Sequence, residues 1–403
     1  MRILELAEDR LNQLQSGEKP VIAEARARAW RRLESLGLPT KKTESWRYSN
    51  FQSLECVEWK LQSERAGSFP GVCANWLRDW GKEFDTVVLI NGQLDPAQIQ
   101  VGPGYTVEAA SFESFAGEDG FSSLNSAIAT PGLKLVIHSS PARPLLIFKF
   151  QEGEGSWQSG LHQVHVMPGV SACVAEVFVG SGDAKYLRSD LGRIEVAEGA
   201  KLEWLKLQCE STGAHHFAET KIQVKGELRW TQVNRGSAWL KSQLLVDLLL
   251  PETFAQTNGL TFGVRDQHVD QRVVMTHQVG HNTSAQLFKG VFADRSRGTV
   301  NGKIFIARDA QKVNSHQLNH NLLLSDKAEV NTKPELEVYA DDVKANHGAS
   351  VGRLDDDKLF YLVSRGIHPA DAERWLSEAF TSDVLMKVEN KVLRRLAGVT
   401  HEF

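Results

Sequence analysis

From about Thr86 to Ser350 the hydrophobic pattern runs with a period of two, and this limits the fold more than any other feature of the 403-residue chain. Ile194 and Val196, Leu205 and Leu207, Ile222 and Val224, Leu228 and Trp230, Ile304 and Ile306, and Leu336 and Val338 each sit two apart among more polar neighbours. The strands are short and numerous. Long helical patterns between them are missing, which argues against a doubly wound α/β sheet and for an all-β unit. A turn-then-strand pattern returns in "PGVSACVAEV", "EGAKLEWLKL", "RDAQKVNSHQL" and "DKAEVNTKPEL". Stacked coils produce such a repeat, whereas a sandwich favours tight hairpin signals. The expected core is therefore a parallel β-helix over residues 86–350. The Gly-rich "EGEGSWQSG", Glu152 to Gly160, reads as a mobile turn or a join between sheets.

Both ends read as helical, which gives regions 1–85 and 351–403. Leu4, Ala7, Leu11 and Leu14 form one helical stripe. A second segment after Pro20 carries Ile22, Ala25, Ala29, Leu33 and Leu36 and stops at Gly37 and Pro39. In "TKKTESWRYSNF", Thr43 is placed to cap a short turn, and Trp46 and Tyr48 either pin it to the core or mark a surface contact. Near the C-terminus Asp355 is placed to cap "DDDKLFYLVSR", which ends at Gly366. A second helix opening at Pro369 is expected to bury Ala372, Leu376, Ala379 and Phe380 and to continue through Leu385, Val388, Val392 and Leu396.

The formal net charge of -4 provides no electrostatic footprint for nucleic acid or an anionic membrane. The first residues mix charged and apolar side chains, and no run reaches membrane-spanning length, so neither export nor a membrane is expected. Cys56, Cys73, Cys173 and Cys209 lack any CxxC spacing; this points to a reducing cytoplasm rather than a disulfide framework or an all-protein metal cage. The "NTS" at Asn282 is then a chance match to a glycosylation acceptor.

Chemical candidates are few. "GTVNGK", Gly298 to Lys303, is too short between glycines for a phosphate-cradling loop and lacks the following Ser or Thr, so any ATP is expected to bind another protein. His316 and His320 share a strand face but lie roughly 13 Å apart there, too far for one metal. His162 with His165, and the pair His215 and His216, have no better support. Asp341 and Asp342 are the one carboxylate pair that a polysaccharide-cleaving β-helix enzyme would want, yet neighbours on a strand diverge and a turn role fits them better. In "KANHGASVG", Lys344 to Gly352, His347 stands among small residues that admit a close approach, which suits an interface as well as a ligand.

The run from Thr283 to Ile367, together with "KKTESWRYSNF", closely resembles the SufD family of the SUF iron-sulfur cluster assembly machinery. The resemblance implies a right-handed parallel β-helix flanked by N- and C-terminal helical regions. It implies a non-catalytic scaffold that pairs with the paralogue SufB and binds the ABC-type ATPase SufC, with ATP on SufC. It also implies that His347, with a cysteine of SufB, serves a nascent cluster held transiently at their interface, and that the isolated chain keeps none. Phe360, Tyr361, Arg365 and Gly366, in "LFYLVSRG", fall in or near the SufC-facing region on this reading. Some relatives carry a cysteine two residues before the histidine, where this chain has Ala345, so SufB is left to supply sulfur ligands. The SufB branch is the alternative within the superfamily, but it carries "HEA" where this chain has "HGA" at Gly348. A stand-alone carbohydrate-active enzyme, and a homodimer of the isolated chain, stay open at this point.

Overall fold

A strand with a period of two sends one row of side chains to each face, so stacked strands need cover on both. The computed structural model describes residues 3–61, 70–110 and 117–399, so parts of the three regions read from sequence lie outside the described residues. From Ser156 onward strands fall alternately into two ten-stranded sheets as the chain advances, each pairing with the second one before it and, up to the last two, with the second one after it. Neighbours are parallel from Leu145 onward, as in Lys201 to Glu210 against Glu227 to Gly236. Among the described residues antiparallel pairs lie toward the N-terminal end, as at Leu89 with Leu94 and Tyr105 with Ile137. Groups one coil apart are joined, as where Arg265 N–H donates to the Asp294 carboxylate, His316 pairs with Asn346 and the Ser325 hydroxyl donates to the Asp294 carbonyl. This is the expected β-helix, a two-sheet solenoid.

The inward rows make one core, in which Ile194, Ile222, Leu228, Val246 and Ile304 are all buried. Trp204 and Trp230 stack on adjacent coils at 5.8 Å with planes 3° apart. Where helices cover them, the outward rows are buried as well. The N-terminal helices α1 (Ile3–Gln15) and α2 (Pro20–Leu36), with α4 (Gly120–Ile128), close over one sheet around Trp46, Phe121, Phe217 and Trp239. Helix α3 (Gly71–Trp80) and the C-terminal α6 (Pro369–Leu385) and α7 (Lys391–Val399) close over the other, against Phe148, Val177, Leu205 and Leu207. Thus Leu205 and Leu207 face helices, whereas Leu228 and Trp230 face the solenoid interior. Helix α5 (Asp356–Ser364) packs beside α6 and buries no residue.

Several sequence expectations need correction. Helix α1 buries Ile3 rather than Leu4, because the stripe is Ile3, Ala7 and Leu11. Thr43 makes no cap bond to the turn it precedes; its hydroxyl accepts instead from the Thr40 N–H at 3.1 Å. The last helix is two. The Glu203 carboxylate accepts from the N–H groups of Glu389 and Asn390, and the Asn390 side chain then caps α7 through Val392 N–H at 2.9 Å. The buried face of α6 is Ala372, Ser377, Thr381 and Val384, while Ala379 is exposed. Helix α4 interrupts the β region, and all nine of its residues are buried, so "GFSSLNSAI" has no polar stripe to betray it. Residues 152–155 form the join between sheets, with Gly153 at φ 100° and Gly155 at φ 70°, and the next strand starts at Ser156.

Candidate functional site

The solenoid ends in two edge strands. Glu329–Val338 closes one sheet and Lys344–Gly352 the other, and among the described residues neither pairs with a further strand. Every residue of Lys344–Gly352 is exposed or half-buried. An unpaired edge offers a row of free N–H and C=O groups and is ordinarily blunted. Glu329–Val338 is blunted by Pro334, which lacks an N–H. Lys344–Gly352 contains no proline, so its backbone can accept a partner strand along its whole length.

His347 sits on that unblunted strand. It is in register with Gln317 of Asn314–Leu323, where Ser315, Gln317, Asn319 and Asn321 are buried and His316 is exposed. Ala345, His347, Ala349 and Val351 therefore continue the inward row, but no coil lies above them. The histidine stands at the rim of the solenoid mouth. Gly348 is not demanded by backbone conformation, since an added Cβ would meet only Leu318 Cδ2 at 3.2 Å.

The second cluster is on α5. Phe360 is 75% exposed and Tyr361 57% exposed, which leaves a large apolar area at the surface. Asp355 caps this helix by accepting from Asp357 N–H at 3.1 Å and Lys358 N–H at 3.3 Å. Gly366 follows its end at φ 85°, and Arg365 lies over the Tyr361 ring at 5.1 Å. Phe360, Tyr361, Arg365 and Gly366 thus belong to one protruding turn-and-helix unit, well separated in sequence from His347.

"KKTESWRYSNF" turns out to be a clasp. Trp46 is fully buried, stacks on Phe217 at 5.8 Å, and donates its indole N–H to Asp119 Oδ2 at 2.6 Å. Lys241 lies over the Trp46 ring at 4.7 Å, pairs with Asp270 at 2.8 Å and donates to the Ser45 carbonyl. Tyr48 remains on the surface. Nearby, Glu219 accepts from Ser122 and from the Glu118 N–H, and burial, with Asp119 and Glu118 adding repulsion, pushes its carboxyl up to about 8.

The remaining candidates have structural work. His316 Nδ1 and His320 Nδ1 pair with Asn346 Oδ1 at 2.9 Å and Ser350 Oγ at 2.7 Å on the next coil. His162 is buried; its Nδ1 accepts from Leu133 N–H at 3.1 Å, so the ring is neutral with its proton on Nε2, 3.5 Å from Asp190. That contact lacks hydrogen-bond geometry, and burial, followed by Lys149, holds the imidazole below its ordinary range. Lys149 bridges Glu176 at 2.8 Å and Asp190 at 3.3 Å inside the solenoid, beside a cavity of about 30 Å³ that admits one water. Asp342 lies in an exposed turn and pairs with Lys312, and Gly298 to Lys303 lies within a strand. No group of three metal-ligating side chains occurs among the described residues. Burial pushes the thiols of Cys73 and Cys209 up to about 12 and that of Cys173 up to about 11, leaving them poor nucleophiles. No helix among the described residues is long and apolar enough to cross a membrane.

Two family models match the chain. One, described as SUF system FeS cluster assembly, SufBD core domain, covers residues 149–380; the other, SufBD protein N-terminal region, covers residues 2–69. The chain is 31% identical over 376 residues to the iron-sulfur cluster assembly protein SufD of Escherichia coli strain K12, across 89% of this chain and 87% of that one. It is 32% identical over 205 residues to an iron-sulfur cluster assembly SufBD family protein of Synechocystis, across 50% of this chain and 45% of that one. A Mycobacterium leprae SufBD family protein is 28% identical over 296 residues, across 70% and 73% respectively.

Proposed function

Because the chain belongs to the SufBD family of iron-sulfur cluster assembly proteins, we propose that it is the SufD-type scaffold of such an assembly, pairing through the open end of its solenoid with a SufB-type paralogue. The observation that carries this reading is the unblunted edge strand Lys344–Gly352 with His347 on its inward row. A second solenoid placed end to end continues the sheets by strand addition, a mode in which backbone hydrogen bonds supply affinity and side chains supply specificity. Such a joint encloses His347 between two coils. A neutral imidazole is a good ligand for iron, and removal from water strengthens that bond.

The nascent cluster is cargo. The thiols of Cys73, Cys173 and Cys209 lie elsewhere and are held protonated, and Ala345 occupies the position where some relatives carry cysteine, so sulfur ligands come from the partner. The chain then contributes one wall and one imidazole, and turnover of ATP belongs to a SufC-type ATPase. The exposed Phe360 and Tyr361 on α5 are its docking surface, with Arg365 and Gly366 at the end of that helix. Lys289 links the solenoid to α6, donating to the Phe380 carbonyl at 2.7 Å and pairing with Asp383 at 2.9 Å; this is the mechanical path from docked ATPase to coil. A cytoplasmic setting, with no nucleic acid and no membrane, fits this role.

The test is co-expression with SufB and SufC partners. The reading expects a stable complex whose iron and sulfide content falls on His347→Ala. Loss of the complex itself in that variant would instead make His347 a purely structural part of the interface.

A further inference from the structure

We propose that Gln317 is a positioning residue for His347: its free carboxamide oxygen accepts the proton of one ring nitrogen and leaves the other nitrogen's lone pair facing the open end. The functional consequence rests on the reading of His347 given above. The geometry does not. Gln317 lies one coil beneath His347 in the same inward row, about 4.8 Å away along the sheet. It is 4% exposed, and its Oε1 has no partner in the chain. A buried acceptor left unmet is costly, which selects a donor at this spot.

The amide orientation is fixed from the other sheet. Gln317 Nε2 donates to the Gly302 carbonyl at 3.1 Å, so nitrogen points across the solenoid and oxygen points away from that contact. Glycine at 302 leaves room for the carboxamide in this place, because an added Cβ would lie 2.1 Å from Gln317 Nε2 and displace it. Gln286, one coil further in, leaves both of its own amide atoms without partners in the same row. A carbonyl oxygen has two lone pairs, so Gln317 can accept from Gln286 on one side and His347 on the other. The same strand pair already bonds across coils twice on its outer face, through His316 to Asn346 and His320 to Ser350. In this structure Gln317 Oε1 is not bonded to the His347 ring, and the proposed bond, reached by rotation of the exposed His347 side chain, is the inward counterpart of those two. A hydrogen bond to the second ring nitrogen is what ordinarily fixes a histidine ligand's tautomer and orientation.

The experiment is nitrogen NMR on the full chain with labelled histidine, at alkaline pH where imidazole is neutral, with the His347 signals assigned by their loss in His347→Gln. Wild type should show His347 as a single tautomer, with two widely separated ring nitrogens. In Gln317→Leu the two shifts should move together toward an exchange average, while Gln317→Glu, which keeps an acceptor, restores the separation. Gly302→Ala, which displaces the carboxamide without removing it, should reproduce the Leu result and carries the test if the Leu variant melts early. An averaged wild-type signal, or a wild-type tautomer in a folded Gln317→Leu, would overturn the proposal. Cluster yield in the complex is scored separately: if His347→Ala leaves it unchanged while the tautomer responds to Gln317, the functional reading fails and this one stands.

Discussion

Replacing Glu219 by glutamine should stabilise the protein, and by more as the pH rises. In the folded chain this carboxyl is pushed up to about 8 by burial beneath the Glu118–Ser122 segment, with Asp119 and Glu118 nearby. In the unfolded chain it titrates near 4.3, as an ordinary glutamate. A raised carboxyl pKa means that the folded state holds a proton which the unfolded state has released. Its contribution to stability is therefore greatest below the unfolded value, declines between about pH 4 and pH 8, and is flat above the folded value. At ~1.4 kcal/mol per unit the whole loss is about 5 kcal/mol, and roughly 3.5 of it has accrued by pH 7. Glutamine keeps the acceptor for Glu118 N–H and offers an N–H to Ser122 without ionising. Thermal melts of wild type and Glu219→Gln should agree near pH 4 and diverge by several degrees near pH 8. A melting difference that is constant with pH would refute the assignment of that carboxyl.

Three further outcomes follow from the same geometry. Lys241→Met should cost about 3–5 kcal/mol in urea unfolding, since buried Asp270 loses its cation and keeps the Ser49 hydroxyl, and Lys241→Met with Asp270→Leu should recover most of it. Cys56 is exposed while burial raises the other three thiols, so a thiol reagent at neutral pH should modify one cysteine of the native protein quickly and four after denaturation; two or more fast thiols would contradict the burial described. Phe360→Asp and Tyr361→Ala should abolish retention of the ATPase partner in pull-downs yet leave the unfolding midpoint unchanged, because both side chains are already in solvent.

How much of this was legible in the sequence depended on which face a residue serves. Pairs such as Ile194 with Val196 announced strands because alternation survives wherever one face is apolar and the other is not. The same rule hid the interior. Lys149, Asp190 and Lys206 are buried and Glu176 is half-buried beside them, and a charged residue in an alternating pattern reads as solvent-facing until its ion partners, which lie tens of residues away, are known. Helix α4 was invisible because burial all round leaves no stripe. Trp46 was recognisable as an anchor or a contact, and only Phe217 and Lys241 on neighbouring strands decide for the anchor. His347 was singled out by its small neighbours, but its place on the rim depends on the register with Gln317, 30 residues earlier, and coil lengths here vary too much for sequence to set that register.

The open end of the solenoid, with His347 on its rim, is the proposed place where a partner completes a cluster site. The most direct measurement is the iron and sulfide content of the complex co-purified with SufB- and SufC-type partners, wild type against His347→Ala, at equal subunit stoichiometry. The expected result is an intact complex with a large loss of both iron and sulfide. An intact complex with wild-type iron and sulfide would contradict it.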